Sequence, residues 1–325
     1  MNHRRIDLTD MSRLWFRWEQ PEATSFRGHK ALRLFGLAAV PGLRLSEGSV
    51  EVHIAAEDVS YCGIAFRIRD SLNYELAYAQ PHTSGRWDAL QYDPVMNGVN
   101  TWQIYHGSGA QKQETVPMGE WFRLRVDFKD DWSAIRLNDG EPLVVPKLAH
   151  AHRDGLIGIW CYKPAWFRDL IVSDRCEADD VAMPERPPLA GGLIKEWFLE
   201  GIGIVDCEDN GIVNLGRYLP STMTEARLRR TFTLGKDGDV TLRFGCSDEI
   251  SVMVDGETVC EERNRFAPDG EWNGQGYVSL NRERTISLPA GEHRLDLVVR
   301  RTEPFGFGFT FAIEGDGIAT EDEVF

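Results

Sequence analysis

Short runs of alternating apolar and polar residues, each closed by turn residues, follow one another along almost the whole chain. Successive side chains of a strand point to opposite faces, so a period of two is typical of half-buried β-strands. Helical periodicity is nearly absent. Such runs include SVEVHIAAE, CGIAFRIRD, NYELAYAQ, WFRLRVDF and LIGIWCY in the first half, and ARLRRTFTL, VTLRFGC, EISVMV and HRLDLVVR in the second. The pattern predicts an all-β protein with antiparallel sheets.

Two Asp-Gly pairs, Asp139-Gly140 and Asp255-Gly256, each separate two of these runs. A two-residue hairpin turn requires positive φ, which Gly and Asp tolerate. Both pairs therefore predict tight hairpins.

The chain has one stretch that interrupts the strand pattern. Residues 177–192, EADDVAMPERPPLAGG, combine a charge cluster, three prolines and a glycine pair, which is typical of a linker. A length of 325 residues also suggests two domains, at about 150 residues each. We therefore expect β-sandwiches over residues 1–176 and 193–325.

Composition and charge restrict the class of partner. The chain is 42% hydrophobic and 27% charged, as in an ordinary soluble globular protein. Its net charge of -15 would repel a phosphate backbone, so nucleic acid is a poor partner. The sequence begins without a signal-peptide pattern and contains no stretch of about 20 apolar residues. Six scattered cysteines without a CxxC spacing fit a reducing compartment. These observations predict a cytoplasmic protein that does not contact a membrane; they leave the oligomeric state open.

The first half resembles the concanavalin A-like lectin/glucanase superfamily in its laminin-G-like branch. The resemblance rests on SVEVHIAAEDVSYCGIAFRIRDSLNYELAYAQ, WFRLRVDFKDDWSAIRLNDGEPLVV and GLIGIWCYKPAWFRDLIVS. The second half resembles galactose-binding-like jelly rolls through LRFGCSDEISVMVDGETV, LPAGEHRLDLVV and FGFGFTFAIE. Together these resemblances imply a concanavalin A-like sandwich, a smaller jelly roll and a protein that acts on or binds carbohydrate. They do not choose between enzyme and lectin.

Residues 80–114 are the candidate site, because they interleave amides, aromatic rings, aspartates and histidines. Between residues 87 and 107 there is no Lys, Arg or Glu. Sugar recognition uses aromatic faces against C–H patches, together with amides and carboxylates that hydrogen-bond to hydroxyls. The substrate-binding candidates are Arg67, Gln80, Arg86, Gln91, Asn97, Trp102, Gln103 and Tyr105.

The catalytic candidates are His82, Asp88, His106 and Tyr92. A histidine suits proton abstraction, an aspartate could orient it, and a tyrosine could act as the acid of a lyase. The paired-carboxylate run of retaining glucanases is missing, which disfavours that mechanism.

Strand alternation leaves two alternative binding faces. If Leu90 and Ile104 face the core, Gln91, Gln103 and Tyr105 point outward together; the opposite register gathers Asp88, Tyr92, Trp102 and His106 instead.

The sequence predicts neither a catalytic metal nor a cofactor. Asp127, Asp130 and Asp131 could offer oxygens to a structural Ca²⁺, but the DxDxDG spacing is missing. We expect a hydrolase or lyase that acts on an oligosaccharide or a small modified sugar at the concave face of the first sandwich. The alternatives are a glycan-binding protein without catalysis, an enzyme acting on another small metabolite, and a protein-interaction module.

Overall fold

The structure is a computed structural model that describes residues 3–178, 181–185, 187–267 and 274–319. The chain folds as two compact units. The first unit contains the residues up to Val95 and Tyr105–Glu185, and the second contains Met96–Ile104 and the residues that follow the first unit. The second unit thus includes a short segment from the first half of the sequence.

Antiparallel strands and two short 3₁₀ helices form the first half of the chain. The helices are Met11–Arg13 and Pro81–Thr83. The strands are β1 (Arg4–Ile6), β2 (Trp15–Trp18), β3 (Glu22–Phe26), β4 (His29–Leu45), β5 (Gly48–Ala55), β6 (Tyr61–Asp70), β7 (Asn73–Ala79), β8 (Leu90–Tyr92), β9 (Val95–Met96), β10 (Val99–Asn100), β11 (Gln111–Lys112), β12 (Phe122–Lys129), β13 (Trp132–Leu137), β14 (Leu143–Val145) and β15 (Gly155–Ser173).

Two long strands, β4 and β15, pass through both layers of the first unit. The first part of β15 pairs with β6, and its second part pairs with β5. The register between β15 and β4 shifts between Cys161 and Ala165, where Lys163 has a φ of 70°. This irregularity separates a front layer, β2-β4-β15-β6-β7-β8, from a back layer, β3-β4-β15-β5-β12-β13-β14.

The core of the first unit lies between these layers. From the front layer it takes Ile64, Phe66 and Ile159, and from the back layer Val52 and Phe122, each with at most 1% of its surface exposed. Burial of these side chains is the main favourable term in folding.

The second unit contains two antiparallel sheets. Its later strands are β16 (Glu196–Leu199), β17 (Gly203–Asp206), β18 (Val213–Asn214), β19 (Glu225–Leu234), β20 (Gly238–Cys246), β21 (Asp248–Val254), β22 (Glu257–Asn264), β23 (Arg282–Leu288), β24 (Gly291–Arg300), β25 (Gly308–Glu314) and β26 (Ile318–Ala319). A 3₁₀ helix spans Leu215–Arg217. One sheet has the order β17-β16-β19-β24-β21-β22, with β26 beside β19, and the other has the order β18-β25-β20-β23. Trp197, Phe232, Phe244 and Phe309 lie in the common core.

The predicted fold class, all-β with antiparallel β-sandwiches, is confirmed. The Asp255-Gly256 turn is also confirmed, because both residues have positive φ, at 52° and 84°, between β21 and β22. The other turn differs from its prediction. Asn138, not Asp139 or Gly140, adopts the left-handed conformation, with a φ of 51°, so the chain reverses one residue earlier.

Candidate functional site

The front layer of the first unit is apolar on both of its faces. On β6, Cys62, Ile64 and Phe66 point into the core, while Tyr61 and Ala65 point to the other side. The outward positions of β7 and β15 are likewise apolar or aromatic, and include Tyr74, Leu76, Tyr78, Leu156 and Trp160. A sheet with one solvated face would carry polar side chains at these positions. The second apolar face therefore requires a separate explanation.

Six rings on this outward side form what we call the aromatic face. It consists of Trp18, Phe35, Tyr61, Tyr78, Trp160 and Tyr162. Its ring centroids lie 5.6 Å apart for Trp18 and Phe35, 6.4 Å for Trp18 and Tyr162, 6.0 Å for Tyr61 and Tyr162, 6.0 Å for Tyr61 and Tyr78, and 5.7 Å for Tyr78 and Trp160. All five pairs meet edge to face or tilted, and not as parallel stacks.

Exposure varies across the aromatic face. Trp18 is 51% exposed and Tyr162 is 47% exposed, whereas Trp160 and Tyr78 retain 6% and 4%. Tyr61 and Phe35 are half-buried. The face thus presents two open rings beside a set of more buried ones, which makes it a candidate binding surface.

Two glycines allow the backbone to place these rings. Gly63 lies on β6 beside Tyr78, and a Cβ there would overlap the backbone of Ala77 and Tyr78. Gly36 pairs with Trp18 and has a φ of 130°, a conformation that side-chain-bearing residues rarely adopt. Strands β6 and β7, and strands β2 and β4, can therefore approach closely only with glycine at these positions.

Tyr78 connects the aromatic face to buried polar groups. Its hydroxyl lies 2.9 Å from Gln91 Oε1 and 3.2 Å from Asp93 Oδ2, and can donate to either oxygen. Burial, and after it the charge of Asp93, raise the pKa of Tyr78 well above its ordinary value. The phenol therefore stays neutral and acts as a hydrogen-bond donor.

Asp88 lies at the same side of the unit, held by two of the predicted amides. Gln80 Nε2 and Gln91 Nε2 donate to the Asp88 carbonyl oxygen at 2.5 and 3.0 Å. The Asp88 side chain is 6% exposed, and Arg86 Nε lies 3.8 Å from its Oδ1. Among the described residues, no group donates a hydrogen bond to that oxygen.

Burial raises the pKa of Asp88, although the Arg86 charge opposes the shift. After burial, the Asp88 charge is the largest influence that raises the pKa of Tyr61, so the carboxyl group lies within electrostatic reach of the aromatic face. A carboxyl group in this setting can remain protonated at a higher pH than an exposed aspartate.

His82 also borders the aromatic face. Its ring centroid lies 4.8 Å from that of Tyr61, and its Nδ1 lies 3.1 Å from the Ser60 carbonyl oxygen. Because a carbonyl oxygen can only accept, Nδ1 carries the proton and Nε2 is the acceptor of the neutral ring. Burial lowers the pKa of His82, which favours that neutral form.

Two predicted site residues lie elsewhere in the first unit. The Tyr92 hydroxyl, buried on the core side of β8, donates to Glu75 Oε2 at 2.6 Å and accepts from Ala149 N at 2.7 Å. Arg67 is 1% exposed and donates to the carbonyl oxygens of Ser46 and Asp130, both at 2.7 Å. Neither side chain is on the aromatic face, because each is buried and hydrogen-bonded inside the first unit.

The strand on which both predicted binding faces depend is not formed over residues 101–107. Leu90 and Ile104 are indeed buried, but Gln91 belongs to the first unit, while Gln103 belongs to the second. In the opposite register, Trp102 lies in the second unit, and Asp88, Tyr92 and His106 lie in the first. Because residues 101–107 form turns instead of a strand, alternation does not apply to them.

The remaining candidates are divided in the same way. Tyr105 packs edge to face against Tyr92, at 5.9 Å between centroids, and His106 is half-buried. In the second unit Asn97, Trp102 and Gln103 make structural contacts that are described below. The structure thus brings together five of the predicted residues, Gln80, His82, Arg86, Asp88 and Gln91.

The sequence interpretation missed the aromatic face itself. The sequence does contain a pattern that indicates this face. Every second residue of two strands is apolar, in Tyr61-Gly63-Ala65 and in Tyr74-Leu76-Tyr78, and the residues between them are mostly apolar as well. A strand that is apolar on both sides predicts a covered or binding surface in addition to a core.

All six cysteines are free. Within the described ranges, no three His, Cys, Asp or Glu side chains are grouped so that they could hold a metal ion. Nor does this part of the chain contain a helix with the length and apolar character needed to cross a membrane.

No family model matches the chain, and no curated protein matches it in sequence. Among solved structures, it is similar to the carbohydrate-binding module CBM66 from Bacillus subtilis, with 15% identity, a TM-score of 0.40, and coverage of 50% of this chain and 95% of the module. It is similar to domain 4 of a GH43 extracellular arabinanase from Geobacillus stearothermophilus, solved with arabinotriose, with 11% identity, a TM-score of 0.31 and coverage of 48% and 76%. A galectin from Caenorhabditis elegans gives 11% identity, a TM-score of 0.33 and coverage of 50% and 98%.

These similar structures are carbohydrate-binding and galectin-like proteins, and each match covers about half of the chain. The more specific division into a laminin-G-like first half and a galactose-binding-like second half stays a prediction.

Proposed function

We propose that the protein binds carbohydrate at the aromatic face of its first unit. The observation that carries this proposal is the pair of open rings, Trp18 and Tyr162, beside the half-buried ring of Tyr61. A sugar presents flat C–H patches, and aromatic rings of this kind can stack on them.

Polar groups at the edge of the face suit the hydroxyls of a sugar. Arg86 is partly exposed, and neutral His82 offers Nε2 as an acceptor. Hydrogen bonds link Tyr78 to Gln91 and Gln91 to Asp88. These bonds fix the positions of the three residues, and a fixed arrangement of this kind favours ligand binding. An oligosaccharide or a small modified sugar is the ligand class that combines the required apolar faces and hydroxyls.

Titration calorimetry against a panel of neutral oligosaccharides tests this proposal. Replacing both open rings, Trp18→Ala with Tyr162→Ala, should weaken binding by about tenfold or more, which corresponds to about 1.4 kcal/mol. Phe16→Ala is the matched control, because Phe16 lies on the same strand as Trp18 and is 38% exposed, but its ring makes none of the contacts of the aromatic face. Equal affinities for all variants would place the binding site elsewhere, and no affinity for any saccharide would contradict the proposal.

A second candidate function, a glycoside hydrolase or lyase, is favoured by Asp88. Its raised pKa suits a general acid, and neutral His82 suits a general base at the same face. Oligosaccharides that bind should be incubated with the protein and analysed by mass spectrometry. Product formation that Asp88→Asn abolishes while binding persists would support catalysis; binding without product would leave a glycan-binding protein.

A further inference from the structure

The segment Met96–Ile104 belongs to the second unit, although it is far from the rest of that unit in sequence. Val99 is 1% exposed and is part of the same hydrophobic core as Trp197, Phe232 and Phe309. Ile104 is also 1% exposed, and a Cβ at Gly308 of β25 would lie 2.7 Å from its Cδ1. The segment therefore contributes side chains that the second unit buries.

The backbone of Gln103 makes hydrogen bonds with two different parts of the second unit. Its N–H donates to the Phe305 carbonyl oxygen at 2.8 Å, and its carbonyl oxygen accepts from Val278 N at 3.0 Å. Its side-chain Nε2 donates to the Gln275 carbonyl oxygen at 3.3 Å. Gly306 lies so close that a Cβ there would be 3.0 Å from Gln103 Cβ. The segment is thus hydrogen-bonded to two separate parts of the second unit, residues 275–278 and Phe305.

Both ends of the segment are fixed. Asn97 Nδ2 donates to the carbonyl oxygens of Gly216 and Arg217 at 3.1 and 3.0 Å, and Ser221 N donates to the Asn97 carbonyl oxygen at 3.1 Å. At the other end, Asn210 Nδ2 donates to the Ile104 carbonyl oxygen at 3.2 Å. These bonds define the register of the whole segment.

Trp102 fills an aromatic cluster of the second unit. Its ring lies 5.2 Å from that of Tyr277, 5.5 Å from Phe266 and 5.7 Å from Phe305, in each case edge to face. Loss of such a ring from a packed cluster leaves a cavity, which is costly in a protein interior.

From these contacts we infer that Met96–Ile104 is an internal ligand of the second unit, required for its native fold. The second unit is then not an independent module behind a linker. It accommodates a segment with an apolar residue at position 99, an indole at 102 and an amide at 103, and the first half of this chain supplies that segment.

Hydrogen exchange on the intact full chain tests the inference. Val99→Asp introduces a charge into the core of the second unit, and we expect exchange of β18 and β25 to become about tenfold faster or more, while β6 and β12 of the first unit exchange as before. Ser108→Asp is the matched control, because Ser108 is exposed and lies outside the segment. Val99→Ala, a milder change, should give a smaller effect in the same strands.

The outcomes separate clearly. Unchanged exchange of β18 and β25 in Val99→Asp would overturn the inference, as would an equal increase in Ser108→Asp. An increase spread evenly over both units would also overturn it, because the segment would then stabilise the chain in general and not the second unit in particular.

A second experiment uses a full chain with a protease site inserted between Pro188 and Leu189, both exposed, and cleaved after folding. The N-terminal fragment still contains residues 96–104, so we expect the fragments to elute together. In the Val99→Asp chain they should separate or the C-terminal fragment should lose its protection from exchange. Separation of the unsubstituted chain into two fragments that both keep native protection would refute the inference.

Discussion

Asp248 has an unusual setting among the carboxyl groups of the second unit. It is fully buried and adopts a φ of 72°. One oxygen accepts hydrogen bonds from the backbone N–H groups of Thr302 and Glu303, but no described residue donates to Oδ1. Burial is the main reason that its pKa is raised to about 6 from 3.8.

This shift predicts the sign of a pH effect. The folded state binds the proton of Asp248 more tightly than the unfolded state does. Protonation of Asp248 therefore stabilises the fold fully below the unfolded pKa of 3.8, and this stabilisation is lost as the pH rises through about 6. Asp248→Asn cannot titrate, keeps an oxygen for both N–H groups and tolerates positive φ. Relative to the parent, this variant should therefore gain stability between pH 4 and pH 7, by on the order of 2 kcal/mol.

Thermal unfolding of both proteins at several pH values in this range checks the expectation. The measured quantity is the difference in Tm between variant and parent. Asp316→Asn, at a carboxylate whose side chain is 89% exposed, should show no such trend. A constant difference across the range for Asp248→Asn would mean that Asp248 does not titrate there.

At the scale of strands, much of the fold could be predicted from the sequence, because local patterns determine it. Alternation places β5, β12 and β21 in their strands, and Asp255-Gly256 specifies its own turn. Alternation could not place residues 91–107, because the strands there are only two or three residues long and residues 101–107 form turns. The aromatic face was missed for a different physical reason. It combines rings from β2, β4, β6, β7 and β15, and the pairing of distant strands is not a local property.

Gly63 provides a test of how strand spacing controls the site. In Gly63→Ala the methyl group would collide with backbone atoms of Ala77 and Tyr78, which cannot move as a flexible side chain could. We expect a loss of about 1–3 kcal/mol in unfolding free energy, as for other overpacked sites. Glycan affinity should fall as well, because Tyr61 and Tyr78 lie on the two strands that must separate.

Denaturant unfolding and titration calorimetry measure the two effects. Gly238→Ala is the control, because Gly238 also lies in a strand, and the nearest atom to a Cβ there is at 3.9 Å. It should be neutral or slightly stabilising. If Gly63→Ala were equally neutral, β6 and β7 would not be held as closely as the structure shows.

For the molecule as a whole, the net charge of -15 should influence which glycans bind. In the proposed binding mode the aromatic face holds its ligand by stacking and hydrogen bonds, which salt screens little. The repulsion between a negative protein and an anionic glycan is long-ranged and is screened over about 10 Å at 0.1 M salt. We therefore expect the Kd of a neutral oligosaccharide to change by less than about twofold between 0.05 and 0.5 M NaCl. An anionic oligogalacturonate should bind more weakly at the lower salt concentration. Tighter binding of the anion at low salt would contradict this expectation. It would mean that two local cations, Arg86 and Lys163, outweigh the net negative charge of the molecule at the site. The Lys163 ammonium group lies 5.9 Å from the centre of the Tyr162 ring.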